Sequence, residues 1–176
     1  MGHPNRTSLA IPIFEDTAAL QAFRQANIHS PAAAMPPHVT IHEPVRPLAQ
    51  LNYEFIERLA TFFTTQSSWL VTFQDVGHFN HNGVLYLKPT LEQPFHNLRQ
   101  ALHDTFLDDI PPDPYPNRIF HLTIARYSPP RLTIVEQDFY QRCGHLLPLK
   151  AKVDRVCFYE KIEDHWQTQT EFLLGR

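Results

Sequence analysis

The chain has 176 residues, of which 43% are hydrophobic and 19% charged, a composition typical of a globular domain and not of a disordered chain. Its apolar runs are far shorter than the ~20 residues of a membrane helix, its first residues lack the apolar core of a secretory signal, and its two cysteines are too few for a disulfide scaffold. The formal net charge of −3 disfavours non-specific binding of nucleic acid, so a polyanion would have to bind in a local pocket.

The first part of the chain alternates strand and helix patterns. A short apolar run predicts a strand at Leu9–Phe14, and Asp16 can cap the helix that follows it. We expect an extended segment at His38–Glu43, followed by a helix, because the apolar residues from Leu51 to Phe63 recur at helical spacing.

The rest of the chain continues this alternation, with hairpins between the helices. The predicted elements are, in order, a strand at Trp69–Val76, a turn at Gly77–Gly83, a strand at Val84–Lys88, a helix at Glu92–Asp108, a loop at Pro111–Pro116 and a strand at Ile119–Ala125. Thr133 and Glu136 form a capping box for a helix that stops before Gly144, and Leu149–Glu160 with Trp166–Leu173 predicts a hairpin. This order predicts an α+β fold of mostly antiparallel sheet with helices packed outside it.

One tetrapeptide pattern occurs twice. The first motif is His38-Val39-Thr40-Ile41 and the second motif is His121-Leu122-Thr123-Ile124. Chance predicts only about 0.05 copies of this pattern in a chain of this composition. The two motifs lie 83 residues apart, close to half of the chain. We therefore predict an internal duplication, in which two lobes of one domain spanning residues 1–176 each present the same groups.

Strand geometry explains the spacing within each motif. Residues i and i+2 of a strand point to the same face, so histidine and threonine should share an exposed face while the two apolar residues point into the core. A third His-x-Thr sequence, His103-Asp104-Thr105, falls in a predicted helix, where positions i and i+2 lie about 200° apart. We therefore expect His103 on a solvated helix face.

The two motifs resemble those of the 2H phosphoesterase superfamily, in particular its 2′-5′ RNA ligase-like (LigT-like) proteins, which carry two H-x-[ST]-φ motifs (φ apolar) on pseudo-symmetric lobes. The resemblance spans the whole chain, and Val76–Phe79 with Val84–Leu87 is similar to the family's central hairpin. Arg126 follows the second motif, as an arginine often does in the family, whereas His42 and Glu43 follow the first. The resemblance implies a cleft where both motifs meet, and metal-free chemistry on 2′,3′-cyclic phosphates or related 2′-linked phosphodiesters.

The residue types suit this chemistry. Opening a cyclic phosphodiester needs a base for the attacking water and an acid for the leaving oxygen. An imidazole pKa of ~6.5 lets His38 and His121 take these two roles near neutral pH, in an order that the sequence leaves open. Thr40 and Thr123 can donate hydrogen bonds to non-bridging phosphate oxygens, and Arg126 can add a fixed charge if a bulge or the strand end turns it toward the cleft. We expect no metal and no cofactor.

The predicted enzyme is thus a cyclic phosphodiesterase acting on RNA or nucleotides with a cyclic phosphate or a 2′-5′ linkage, and hydrolysis and ligation both stay open. One rival is a zinc enzyme, because His38, Thr40 and His42 share a face of a regular strand and His121 could complete the ligand set. The other rival is a non-catalytic protein that binds a nucleotide or an RNA end in the same pocket.

Other residues could contact a substrate. Phe79 and Tyr127 can stack on a nucleobase, because aromatic faces bind bases without sequence preference. His78 and His81 lie in the predicted turn, where they are either exposed or in contact with substrate.

The cellular context follows from the cysteines and the charge. Cys143 and Cys157 have no C-x-x-C spacing, so we expect free thiols in a cytoplasmic protein. We further expect a monomer that needs no protein partner and does not bind membranes.

Overall fold

A computed structural model describes residues 6–14, 17–43, 45 and 52–176. Asp16 and Leu51, which the sequence places at helix starts, lie outside the described residues. The strands are β1 (Thr7–Pro12), β2 (His38–His42), β3 (Trp69–Phe79), β4 (Val84–Pro89), β5 (Leu122–Arg126), β6 (Leu149–Val153), β7 (Arg155–Ile162) and β8 (His165–Leu173). The helices are α1 (Ala18–Asn27), α2 (Tyr53–Thr65), α3 (Gln93–Phe106) and α4 (Leu132–Cys143). The α+β class predicted from the sequence is confirmed.

The strands form one antiparallel sheet with the order β6-β3-β4-β5-β2-β1-β7-β8. Two sets of four strands meet at the β2–β5 pair, where Val39 lies opposite Leu122. We call β2, β1, β7 and β8 the first half-sheet, and β5, β4, β3 and β6 the second half-sheet. The two motifs therefore lie on the central pair, one in each half-sheet. Their origin by duplication stays a prediction.

The apolar core lies between the sheet and the helices. Leu20 and Phe23 of α1 are buried there, as are Leu102 and Phe106 of α3. Each of these helices packs across the centre of the sheet: α1 contacts β5 and α3 contacts β2. Helix α1, which follows β1 of the first half-sheet, thus supports β5 of the second. Helix α3, which follows β4 of the second half-sheet, supports β2 of the first. Among the described residues, no helix has the length and apolarity needed to cross a lipid bilayer.

The turn predicted at Gly77–Gly83 is shorter than expected. β3 continues through His78 and Phe79 because these residues pair with Leu85 and Val84 of β4, and only residues 80–83 form the turn. His78 is consequently a strand residue, and its Nε2 lies 2.9 Å from an oxygen of the Glu136 carboxylate.

Two expectations near the end of the chain are wrong. Thr133 is not a helix cap, because α4 begins at Leu132, whose buried side chain fixes the first turn against the core. The strand predicted at Leu149–Glu160 is two strands at different places in the sheet, with β6 pairing with β3 and β7 pairing with β1. Asp154 separates them, and only β7 forms the predicted hairpin with β8.

Candidate active site

The two motifs lie side by side at the centre of the sheet. Their second residues are paired in the antiparallel register of β2 and β5. One residue further along, this register places His38 beside Thr123 and His121 beside Thr40. Each histidine is thus next to the threonine of the other motif, an arrangement that brings four predicted site residues together.

Burial alternates along both motifs as strand geometry predicts. The apolar residues Val39, Ile41, Leu122 and Ile124 are all fully buried. The histidines and threonines of both motifs are half-buried. We call the surface formed by these four polar side chains the motif face.

Both histidines are held in the same orientation by the same local contact. The Nδ1 atom of His38 lies 2.8 Å from the carbonyl oxygen of Pro36, and Nδ1 of His121 lies 2.8 Å from that of Ile119. Because a carbonyl only accepts, Nδ1 must carry the hydrogen in each ring. Each neutral ring therefore keeps a bare Nε2, and neither Nε2 has a hydrogen-bond partner among the described residues. Two identical imidazole nitrogens are left available for proton transfer.

The electrostatic environment favours neutral imidazoles. The pKa of His38 is lowered to about 4, chiefly by burial and then by the positive charge of Arg24, against the opposing effect of the Pro36 carbonyl. Burial also lowers the pKa of His121, with Arg118 and Arg126 adding to the effect. A bound anion would oppose these positive charges and raise both pKa values.

A β-bulge interrupts each motif at its isoleucine. On β1, Leu9 pairs with His42 and Ala10 with Thr40, so Ile41 has no opposite residue. On β4, Leu85 pairs with Ala125 and Tyr86 with Thr123, so Ile124 has none either. In each case the extra residue shifts the alternation of the strand by one position.

The bulge decides the placement of Arg126. In a regular strand Arg126 would point into the core, but the bulge turns it to the side of Thr123, and it is exposed there. Its positive charge lowers the pKa of both His38 and His121. Glu43 holds the matching position after the first motif, and its carboxylate forms a 2.5 Å ion pair with Arg6.

The same shift makes the sequence-based zinc site wrong. His42 is turned away from the motif face and is fully buried behind the sheet, so it cannot share a metal with His38 and His121. Its Nδ1 lies 2.9 Å from Nε2 of His103, and its Nε2 donates to the Pro111 carbonyl oxygen at 3.1 Å. His103 is therefore half-buried and paired with His42, not solvated as expected.

His42, His103 and Asp113 have donor atoms close enough together for a metal ion, with all three within 4.8 Å of one another. The carboxylate of Asp113, however, already accepts hydrogen bonds from Arg118 at 3.1 Å and forms an ion pair with Arg99 at 3.2 Å. Two guanidinium charges on one carboxylate repel a cation and occupy its lone pairs. We interpret this cluster as a buried polar network that fixes the segment before the second motif.

Aromatic rings surround the second histidine. The ring of Phe79 lies 4.9 Å from that of His121, nearly perpendicular to it, and the ring of Tyr86 lies 5.2 Å away. Tyr86 lies over Gly77, where any Cβ would overlap its ring. Phe79 thus lies beside the histidine of the second motif, and its stacking on a nucleobase stays a prediction. Tyr86 was missed, although the alternation of β4 would have placed it on the same face as Thr123.

The structure does not bring Tyr127 to the histidines. The bulge that turns Arg126 outward turns Tyr127 to the helix side, where its hydroxyl donates to the Asn27 side chain at 3.1 Å and its ring packs against His29. The aromatic ring nearest His38 is instead Tyr159 of β7, at 6.3 Å between centroids. His81 is exposed in the turn next to Phe79.

Comparison with known proteins gives a consistent result. The family model of the 2′-5′ RNA ligase superfamily matches residues 12–165. The structure of Escherichia coli LigT complexed with 3′-AMP is similar, with a TM-score of 0.64 at 14% identity, covering 99% of this chain and 100% of LigT. TT0787 of Thermus thermophilus has a TM-score of 0.64 at 18% identity, covering 97% of this chain and 99% of that protein. The search of curated proteins gave no match.

Proposed function

The chain belongs to the 2′-5′ RNA ligase superfamily, a group of 2H phosphoesterases, and from this membership we propose its specific reaction and substrate. Its general activity is that of a phosphoesterase. The proposed activity is that of a metal-independent phosphodiesterase, acting on 2′,3′-cyclic phosphate or 2′-5′ phosphodiester ends of RNA or nucleotides. A nucleotide substrate is in keeping with LigT, which was crystallised with 3′-AMP and with NADP+.

One observation carries the proposal. His38 and His121 present identical Nε2 atoms beside each other's threonine, and a backbone carbonyl fixes the tautomer of each ring. A phosphodiester bound on the motif face would contact both imidazoles and both threonine hydroxyls. General acid–base catalysis of phosphodiester cleavage needs one group to take a proton and one to give a proton, and two imidazole nitrogens can fill these roles.

We assign the base to His38 and the acid to His121 in the hydrolytic direction. His38 is neutral at pH 7 because its pKa is lowered to about 4. Its Nε2 takes a proton from water as the water oxygen bonds to phosphorus. Protonated His121 gives its Nε2 proton to the ribose oxygen as the old P–O bond breaks. The product is a phosphomonoester beside a free hydroxyl.

Three further side chains, those of Thr40, Thr123 and Arg126, can stabilise the negative charge that develops on the phosphate oxygens. The Thr40 and Thr123 hydroxyls can donate to the two non-bridging oxygens, which carry more negative charge in the transition state. Arg126 supplies a fixed positive charge to the same group. Its position beyond the bulge, on the side of Thr123, supports this role.

Turnover on a defined panel of substrates tests the proposal. The panel contains the four nucleoside 2′,3′-cyclic phosphates and matched 2′-5′ and 3′-5′ dinucleotides, each incubated with the protein in excess EDTA. We expect hydrolysis of the cyclic phosphates or of the 2′-5′ linkage, and chromatography of the products identifies the oxygen that keeps the phosphate.

His165→Ala is the matched control, since His165 is exposed in β8 and lies outside the motif face. It should retain full activity. Binding of these nucleotides without any turnover would support the non-catalytic rival instead. Activity that disappears in EDTA and returns with added zinc would contradict a metal-independent reaction.

A further inference from the structure

A buried arginine contacts the backbone on the core side of both half-sites, where a half-site is one motif together with the carbonyl that fixes its histidine and the charged residue that follows it. Arg24 lies in α1 and is only 1% exposed, which is unusual for a guanidinium group. Its Nε donates to the backbone carbonyl of Thr123 at 2.9 Å, and its Nη1 donates to that of Met35 at 2.8 Å. A third hydrogen bond, 2.6 Å long, goes to the Gln21 side chain and holds the guanidinium in place.

Both backbone carbonyls belong to segments that set the site geometry. Thr123 is the last paired residue before the bulge that turns Arg126 to the motif face. Met35 directly precedes Pro36, whose carbonyl fixes the ring of His38. A bulge disrupts the ladder of strand hydrogen bonds, so a rigid donor from outside the sheet stabilises the local backbone. One side chain therefore braces the backbone of both half-sites.

The charge of Arg24 also acts on His38. Burial contributes most to the lowered pKa of His38, and the charge of Arg24 is the next contribution. The other groups facing His38 are His121, which directly precedes β5, Arg126 at the end of β5, and the Tyr159 ring from β7; His121 and Arg126 also lower the pKa of His38. Of the three residues whose charge lowers the pKa of His38, namely Arg24, His121 and Arg126, only Arg24 lies on α1.

We propose that Arg24 is a positioning residue that aligns the two half-sites through the carbonyls of Thr123 and Met35 and keeps His38 ready to act as a base. The reaction in which it acts is the proposed phosphodiesterase, so this inference rests on the proposed function. The guanidinium does not contact the substrate, because it is buried behind the motif strands. Loss of Arg24 should thus change both the protonation of His38 and the orientation of Arg126.

Two variants separate the charge of Arg24 from its geometry. Arg24→Gln removes the charge, so the acid limb of the pH profile of kcat/KM should move up by about 0.5–1 pH unit as His38 becomes easier to protonate. Arg24→Lys keeps the charge but cannot hold both carbonyls with a rigid planar group. It should keep the wild-type acid limb and lose about 10-fold in kcat/KM.

The protonation of His38 is also measured without substrate, by an NMR pH titration of the histidine rings in each variant. The matched control is Arg99→Gln, since Arg99 of α3 is also buried and also binds carbonyls, those of Tyr115 and Pro116, but its charge lies on Asp113. We expect the His38 titration to move in Arg24→Gln and to stay in place in Arg99→Gln.

A folded Arg24→Gln protein with a wild-type His38 titration and wild-type kcat/KM would overturn the proposal. If Arg24→Gln does not fold, Arg24→Lys decides, and wild-type kcat/KM in that variant would equally overturn it. If the wild-type protein turns over no cyclic phosphate, the proposed function fails, whereas the effect of Arg24 on His38 is still read from the titration.

Discussion

The first half-site ends in Glu43, and the second ends in Arg126 at the matching position. Up to these residues the two motifs match in sequence, in burial, in the carbonyl that fixes the histidine and in the bulge at isoleucine. Beyond the bulge the chemistry diverges, because a carboxylate paired with Arg6 replaces a guanidinium. The backbone thus provides two equal places for a charged group, and the side chains give them opposite signs.

Behind the sheet the two half-sites differ in a second way. The position after Ile124 is Ala125, which packs in the core, whereas the position after Ile41 is His42, which belongs to a polar network with His103. The two histidines are therefore held alike, while the residues behind them differ. In the proposed reaction, proton transfer would use two equivalent imidazoles, whereas binding and orientation of the phosphate would use a positive charge on one side only.

The largest expected effect comes from removing either of the two motif histidines, which the half-sites have in common. His38→Ala and His121→Ala should each lower kcat/KM at least ~10²-fold, since each removes one partner of the proton transfer. Steady-state kinetics on a nucleoside 2′,3′-cyclic phosphate measures this, with circular dichroism to verify folding. A variant of either histidine with near-wild-type turnover would break the equivalence of the two half-sites.

The threonines give the next effect. Thr40→Val and Thr123→Val keep the shape of the side chain but remove a donor to the phosphate oxygens, and each should lower kcat by about 10²-fold. Equal losses would show that both threonines stabilise the phosphate. A loss confined to one threonine would show that the phosphate lies on one side of the motif face.

The pH profile follows from the lowered pKa values. His38 must be neutral to act as a base, so kcat/KM should fall as the pH drops through its pKa of about 4. His121 must be protonated to act as an acid, and because its pKa is lowered, kcat/KM should fall again on the acid side of 6.5 as the pH rises. The profile of kcat should lie at higher pH, since the bound anion raises both pKa values. A flat profile from pH 5 to 9 would contradict the assignment.

Substitution of the two charged residues beyond the bulges, Arg126 and Glu43, tests where the half-sites differ. Arg126→Gln should raise KM about 10-fold or more, because a hydrogen bond from a charged group to the phosphate is lost. Glu43→Gln should change KM less than about threefold, since it removes only a half-exposed ion pair with Arg6. Equal effects of the two substitutions would show that both ends of the motif face bind the substrate.

The smallest effect on activity is expected behind the sheet. His42→Ala leaves the His103 ring and the Pro111 carbonyl without their partner, which should cost about 1–3 kcal/mol of unfolding free energy with kcat within about threefold of wild type. Urea unfolding of His42→Ala, His103→Ala and the double variant measures the coupling between the two rings. Additive losses would contradict a direct hydrogen bond between them.

Much of the site could be predicted from the sequence because the alternation of a strand is local. The spacing of histidine and threonine placed His38, Thr40, His121 and Thr123 on one face, and the structure has them there. The same rule failed for His42, because the bulge at Ile41 depends on pairing with β1, a strand far from it in sequence.

Long-range packing explains what else was missed. Arg24 lies in a helix whose periodicity predicts only its apolar face, and its partners Thr123 and Met35 are brought to it by the fold. The sequence around His103 predicts a solvated helix face, because nothing in that segment indicates the contact with His42 of β2. The separation of β6 from β7 has the same origin, since only Asp154 lies between them in the chain and their different partners, β3 and β1, are set by the sheet.

The strand order also has a consequence for how the protein is made. Every strand of the second half-sheet lies within one continuous stretch, residues 69–153, whereas in the first half-sheet Thr7 pairs with Glu160. A chain emerging from the ribosome therefore holds all four strands of the second half-sheet before β7 and β8 exist. Pairing across such a separation is slow, because a long loop must close before any contact stabilises it. The half-site of His121 can thus form early, and that of His38 gains its full support only after β7 and β8 have been made.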